Sequence, residues 1–447
     1  MMGGDRMPES RGTRTEWFMR SRFGMFIHWG LYAIPAKGEW IRSQARITEE
    51  AYREYFDSFD PVDFDPREWA RLAKKAGMKY AVLTAKHHDG FCLFDSALTD
   101  YKSTATKAGR DFVAEYVEAF RAEGLEVGLY YSLIDWHHPD YPHYGDRHHP
   151  QRDDAAWQGH HHDFGRYLDY LHGQVKELCS NYGKLSVLWF DFSYDGLSGE
   201  AWRATELVRM VRSLQPSVII DNRLEASGES LGSIAEGESE EYAGDFASPE
   251  QIIPPEGVRD ARGRPLPWEA CVTMNNHWGY AAADHAWKPP RQLLRKLVEC
   301  VSKGGNLILN VGPDARGRIP AESTRTLEHV GSWLGDNGAS IYECGASGFP
   351  KPEWGCFTRN GQKLYAHVFE PPIGSLALPG LGGGRIARMR LLKDGFEVRE
   401  NDAWNTKIFP DHAFVNFGEP ADYTFPLPDE DDTVIEIDLQ EPAPPDE

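Results

Sequence analysis

The alternation of short apolar runs with amphipathic helical stretches, from Arg22 to about Gly338, is what most limits how this chain can fold. The strand candidates are Phe23–His28, Tyr80–Ala85, Val127–Ser132, Ser186–Asp191, Val218–Asp221, Ala270–Met274 and Asn306–Asn310. Each is short, largely apolar and bounded by glycine or polar residues, as parallel strands buried on both faces must be. Between them lie helical patterns such as DPREWARLAKKAG, DFVAEYVEAFRAEG and PPRQLLRKLVECVSKGG. The first two open on an aspartate placed to cap a helix, and all three end on glycine. Strand–helix units repeated over so long a stretch fit a closed barrel better than an open sheet. The expectation is an α/β fold, a (β/α)8-like (TIM-type) barrel, with seven clear strands and an eighth that is irregular or missing.

Past about Ser340 the texture changes. LYAHVF, RMRLL, FVNF and TVIEIDL are short, rich in β-branched and aromatic residues, and separated by Gly, Pro and Asp. That pattern predicts a C-terminal antiparallel β-sandwich. The chain therefore divides into an N-terminal tail (1–16), a barrel (17–340) and a sandwich (341–447).

Composition narrows the function classes. The 41% hydrophobic and 26% charged residues are ordinary globular values, which excludes disorder, collagen-like repeats and coiled coil. A formal charge of −21 repels phosphate backbones, so no nucleic-acid partner is expected. No apolar run approaches the roughly 18 residues a membrane span needs. The N-terminus, MMGGDRMPESRGTRTEW, lacks the apolar segment of a secretory signal, which predicts a cytoplasmic protein. Six widely spaced cysteines without a C-x-x-C pair read as buried, reduced thiols. Aromatic residues make up 12% of the chain; flat rings fill large cores, and they also stack on the apolar C–H faces of sugars.

In a (β/α) barrel the C-terminal ends of the strands build the active site. Here those ends read FIHWG, TAKHHDGF, LYYS, LWFDF, IIDNR and VTMN. An apolar strand that stops on His, Asp or Arg makes little sense as packing, and several such ends together point to a site. Asp191 follows LSVLWF and should stand at a strand mouth among aromatics. A lone Asp there is often only a helix cap, but its neighbours favour a nucleophile for an anomeric carbon. His28, His87 and His88 end the first two strands, where imidazole can donate to or accept from sugar hydroxyls. Adjacent histidines on an extended segment face opposite ways, so only one of His87 and His88 is expected to reach a ligand directly. Arg223 ends a strand and could hold a carboxylate or a hydroxyl; beside Asp191 it would keep that acid ionised. Glu39 and Trp40 pair an acid with an aromatic plate in the loop after the first strand. Eight of the 17 histidines lie between His137 and His162. This Pro-, Asp- and Gly-rich tract has no ligand spacing on a helix face, so it reads as a solvated loop with rim contacts as the alternative.

RFGMFIHWGLYAIPAKGEW, KYAVLTAKHHDGFCLFDS, GLYYSLIDW, VLWFDF and NLILNVGPDARGRIP, in this order, resemble the sequence blocks of the glycoside hydrolase family 29 α-L-fucosidases. The resemblance covers residues 17 to about 340 and implies a (β/α)8-like barrel followed by a β-sandwich. It also implies exo-acting, retaining hydrolysis of terminal α-L-fucose from a fucosylated oligosaccharide or glycoside, with no metal and no organic cofactor. Carried over, the nucleophile falls on Asp191 and the sugar-binding residues on His28, His87, His88, Tyr131, Glu39, Trp40 and Arg223. Phe26 then lines the pocket for the C5 methyl. GDFASPEQ resembles the stretch that carries the acid/base, which points to Glu250, with Glu238, Glu240, Glu241 and Glu269 as rivals.

Two positions depart from the family pattern: Phe192 stands where many members have Gly after the nucleophile, and Ile41 where Tyr commonly follows Glu-Trp. Two readings compete with a working fucosidase. One is a catalytically silent fucose-binding protein; the other is a metal-dependent, amidohydrolase-type barrel using the histidines as ligands. Linkage preference is not legible, and a homo-oligomer is left open.

Overall fold

The computed structural model describes residues 10–227, 230–417 and 426–440. Strands β1 (Phe23–Ile27), β2 (Tyr80–Lys86), β3 (Glu126–Ser132), β4 (Val187–Asp191), β5 (Ile219–Ile220), β6 (Glu269–Thr273) and β7 (Asn306–Val311) form one parallel sheet, ordered β5-β4-β3-β2-β1-β7-β6. Side chains on the inner face, among them Phe26, Val82, Tyr130, Trp189 and Ile308, pack into a core of their own. Those on the outer face join the larger core beneath the helices. Gly24 belongs to the inner set: a Cβ there would lie 2.3 Å from the Tyr80 ring, so glycine is what admits the ring.

The ring closes through a segment too irregular to count as a strand. Asp245 donates its N–H to Ile220 O at 2.6 Å, and Phe246 bridges Asp221 in parallel. Pairing then crosses to the other neighbour: Ala247 N bonds Pro267 O at 3.0 Å, Cys271 N bonds Pro249 O at 3.1 Å, and Gln251 N bonds Cys271 O at 2.9 Å. Pro249 has no N–H for a ladder, and the switch between β5 and β6 leaves no continuous run, which is why the eighth strand is illegible as a pattern. Glu250 sits on this seam.

The helices begin and end where their caps place them. The Asp65 carboxylate accepts from Arg67 N and Glu68 N, and Asp111 accepts from Ala114 N. Gly77, Gly124 and Gly304 follow their helices at positive φ, the left-handed turn that ends a helix cheaply only at glycine. The stretch read as an N-terminal tail is partly helix: Arg11–Ser21 is capped by Ser10. It seats Phe18 against Tyr80 and Phe246 under the barrel, and Arg14 pairs with Asp245 at 2.7 Å. Residues 11–16 therefore belong to the barrel floor, because Phe18 gives this short helix an apolar face to bury.

Strands β8 (Gly345–Ala346), β9 (Gly355–Asn360), β10 (Lys363–Val368), β11 (Leu376–Pro379), β12 (Ile386–Leu391), β13 (Arg399–Glu400), β14 (His412–Asn416) and β15 (Thr433–Leu439) form two antiparallel sheets, β12-β15-β10-β9-β8 and β11-β14-β13. Alternate residues such as Leu364, Ala366, Leu376, Ala413 and Ile435 meet in one apolar layer between the sheets, which makes this a β-sandwich. All six cysteines are buried and unpaired. Among the described residues, no helix is long and apolar enough to cross a membrane.

Candidate active site

The strand ends enclose a cavity of about 100 Å³ lined by Phe26, His28, Trp40, His87, His88, Asp191, Arg223 and Glu250, together with Tyr130, Trp189, Phe192, Cys271 and Trp278. Its chemistry centres on Arg223. Nη1 of that guanidinium lies 2.8 Å from Asp191 Oδ1 and 2.9 Å from Glu250 Oε2. Two oxygens in contact with one nitrogen are within two hydrogen-bond lengths of each other. That limit matches the short-range arrangement, about 5–5.5 Å between carboxyl groups, at which one carboxylate attacks a glycosidic carbon while the other serves its leaving group, and not the wider spacing that leaves room for a water. Arg223 is itself fixed: Nε donates to Ser248 Oγ at 3.1 Å, Nη2 to Ser248 O at 3.1 Å, and the guanidinium lies 4.6 Å from the Trp189 ring centre.

Asp191 ends β4 as expected. Burial pushes its pKa up from the ordinary carboxylate value; the Arg223 cation pulls it back, and the Glu250 charge pushes it up again. Tyr130 donates to Oδ2 at 2.7 Å, so both oxygens of this buried carboxylate are held. Glu250, in contrast, keeps 39% of its side chain exposed, which leaves it open to a leaving group or to water.

Burial keeps the three imidazoles neutral. His28 Nδ1 lies 2.7 Å from Asn310 Oδ1, which can only accept, so Nδ1 carries the proton. Burial depresses the His28 pKa to about 3. His88 Nδ1 lies 2.8 Å from Ser132 Oγ, whose own hydrogen goes to Ile134 O at 2.7 Å. The bond therefore runs from His88 to Ser132, leaving the His88 Nε2 lone pair free, 3.9 Å from Asp191 Oδ2. His87 stacks on Tyr130 at 5.5 Å, and its buried Nδ1 has no protein partner. Both His87 and His88 line the cavity, contrary to the expectation that only one would. The strand ends at Lys86 after a register shift, and the turn that follows breaks the two-residue alternation.

Tyr131 is not in the site. Successive residues of β3 face opposite ways: Tyr130 points inward to Asp191, while the Tyr131 hydroxyl donates outward to Gln174 Oε1 at 2.9 Å and its ring faces Lys86. Glu39 is buried beside the cavity but does not line it; its carboxylate accepts from Gly279 N at 2.8 Å and so anchors the turn that carries Trp278. The rival acids lie elsewhere. Glu238, Glu240 and Glu241 are exposed, and Glu241 pairs with Arg209 at 2.7 Å. Glu269 is enclosed at the start of β6, bonded to the Tyr80 hydroxyl and 3.4 Å from Trp189 Nε1.

Of the histidine-rich tract, His148 reaches the rim, with its ring 5.4 Å from Trp40 and 5.0 Å from Phe192. His143 is stacked between Trp157 and His162 at 4.1 and 5.0 Å. Among the described residues, no three His, Cys, Asp or Glu side chains converge as metal ligands. Sequence reasoning missed Tyr130, Trp189 and Trp278. Counting back in twos from Asp191 would have found Trp189, and the same count on the neighbouring strand would have found Tyr130. Trp278 lies in a loop with no periodicity to read.

A parallel barrel whose mouth pairs two carboxylates across an arginine, beneath aromatic walls and neutral imidazoles, defines a glycoside hydrolase of the two-carboxylate class. Comparison with known proteins gives the family. The α-L-fucosidase family model matches residues 7–339. The α-L-fucosidase of Dictyostelium discoideum is 30% identical, the match covering 80% of this chain and 78% of that protein. The solved structure of α-L-fucosidase isoenzyme 1 from Paenibacillus thiaminolyticus is 60% identical with a TM-score of 0.93, over 96% of this chain and 100% of that one. A family 29 α-L-fucosidase from Bacteroides thetaiotaomicron, trapped as a covalent intermediate with 2-fluoro-fucosyl fluoride, is 28% identical with a TM-score of 0.80, over 98% of this chain and 99% of that one. The chain belongs to the α-L-fucosidase family of glycoside hydrolases, family 29.

Proposed function

We propose that this chain is an exo-acting retaining α-L-fucosidase in which Asp191 is the nucleophile and Glu250 the acid/base. The observation that carries the residue roles is the single Arg223 nitrogen in contact with both carboxylates. Asp191 attacks the anomeric carbon as Glu250 gives its proton to the departing glycosidic oxygen, forming a fucosyl ester. Glu250, now ionised, takes a proton from water as that water attacks the same carbon. The Asp191 ester breaks, and fucose leaves with its configuration retained.

The remaining residues bind. His28, His87 and His88 meet the sugar hydroxyls through neutral ring nitrogens, and Phe26 and Trp278 give the C5 methyl an apolar wall. The substrate is a fucosylated oligosaccharide or glycoside whose chain end is fucose, as the small cavity at the strand ends suits a terminal residue rather than a chain passing through. The test is hydrolysis of p-nitrophenyl α-L-fucoside followed by proton NMR. Release of α-L-fucose as first product, insensitive to chelator, is expected. First release of the β-anomer, or loss of activity with chelator, overturns this reading.

A further inference from the structure

Phe192, the residue after Asp191, has its backbone at φ 85°. An aromatic residue rarely adopts this left-handed conformation, whereas glycine adopts it freely. Such strain persists only where surrounding contacts over-determine it. Here the contacts are rings: Phe192 lies 5.3 Å from Trp40, 4.9 Å from His88, 5.0 Å from His148 and 5.4 Å from Tyr194.

Three of these rings, Trp40, Phe192 and His148, are only half-buried, and they come from three separate loops. Trp40 and Phe192 also line the cavity that holds Asp191 and Glu250, and both rings meet His148 edge to face, so aromatic side chains run from the carboxylates to the half-exposed rim. The rim is braced from behind. The Tyr194 hydroxyl bonds the Tyr141 hydroxyl at 2.9 Å and the Asp146 carboxylate, and Asp146 Oδ1 also accepts from His148 N at 2.8 Å. Ser43, on the turn after Trp40, donates to His148 O. Rings held rigid at a mouth, one of them at the cost of backbone strain, are arranged for a ligand.

We infer that Phe192, Trp40 and His148, whose ring planes stand at 53° to 89° to one another, form an aromatic rim that takes the group beyond the fucose, either an aryl ring or the apolar C–H face of a pyranose, and that Phe192 determines specificity for it. This inference rests on the fucosidase reading above. The fucose ring occupies the enclosed part of the cavity, and the leaving group extends along the half-exposed rings to solvent.

The test compares kcat/KM for p-nitrophenyl α-L-fucoside with that for α-L-fucosyl fluoride, whose leaving group has no ring to stack. In Phe192→Gly, which suits the positive φ, the aryl fucoside is expected to lose at least tenfold, mainly through KM, and the fluoride less than threefold. His148→Ala removes a second ring without touching the backbone and should move the ratio the same way. An active wild-type enzyme whose ratio does not move in either variant, or that loses equally on both substrates, overturns this inference alone. A wild-type enzyme that turns over neither substrate overturns the fucosidase reading and this inference with it.

Discussion

The Tyr130 hydroxyl donates to Asp191 Oδ2 at 2.7 Å, on the side of the carboxylate that Arg223 leaves free. Its neighbour Tyr131 makes an equally good bond, 2.9 Å to Gln174, on the outer face of the same strand. One bond orients a carboxylate that lines the cavity and the other ties a strand to a helix. A hydrogen bond to a charged group contributes about 1.5–3 kcal/mol, or roughly ten- to a hundredfold in rate when it acts in the transition state. Tyr130→Phe should therefore lower kcat on an aryl fucoside by about that factor. Tyr131→Phe should leave kcat within about twofold and cost about 1 kcal/mol of stability in a denaturant melt. The opposite ranking in steady-state kinetics would return the role to Tyr131.

The two carboxylates have separable signatures. Asp191→Gly removes the proposed nucleophile and should lower kcat by about a thousandfold or more with the fold intact. Glu250→Ala should slow hydrolysis of fucosides with poor leaving groups most, and added azide should restore turnover by attacking the fucosyl ester without needing a base. Glu241→Ala, which loses only its exposed pair with Arg209, should behave as wild type. Azide rescue of a Glu241 variant in place of Glu250→Ala would show the acid/base to be misplaced.

Much of this arrangement is legible in the chain before folding, and the gaps have physical causes. The seven strands announce themselves because both their faces are buried, so the runs are apolar throughout. The helices announce themselves through Asp65, Asp111 and the glycines that follow them. The eighth strand does not, since around Pro249 its pairing changes sides. Period-two reasoning fails for His87 and His88 because they lie past the strand end, and it would have succeeded for Tyr130, where the strand continues. Glu39 was readable as functional by type, but its carboxylate is turned to a backbone N–H across the loop, a contact 240 residues away in sequence.

Arg223 is expected to set where the acid limb of the pH profile falls. Burial raises the Asp191 pKa and the Arg223 cation opposes it. As the proposed nucleophile Asp191 must be ionised to attack, so activity should be lost as pH falls through its pKa. Replacing the cation by a neutral side chain of similar length favours the protonated acid and raises that pKa further. In Arg223→Gln, the acid limb of kcat/KM should therefore move to higher pH, alongside a lower plateau. An acid limb that stays put or moves to lower pH would mean that another group titrates there.

Glu269 offers a control on both site and fold. Burial lifts its pKa from 4.5 to about 8, so it carries its proton in the folded protein at neutral pH. A folded pKa above the unfolded value means that the proton stabilises the fold fully below pH 4.5. That contribution declines as pH rises and is gone above about 8. A shift of this size is worth a few kcal/mol. Glutamine mimics the protonated acid at every pH, so Glu269→Gln should flatten the fall in melting temperature between pH 5 and 9. Because Glu269 lies at the start of β6, among Tyr80 and Trp189 and outside the cavity lining, the same variant should keep kcat within about threefold of wild type. A variant that melts with the wild-type pH dependence would show that Glu269 is already ionised in the fold. One that keeps the fold but loses turnover would make Glu269 part of the chemistry.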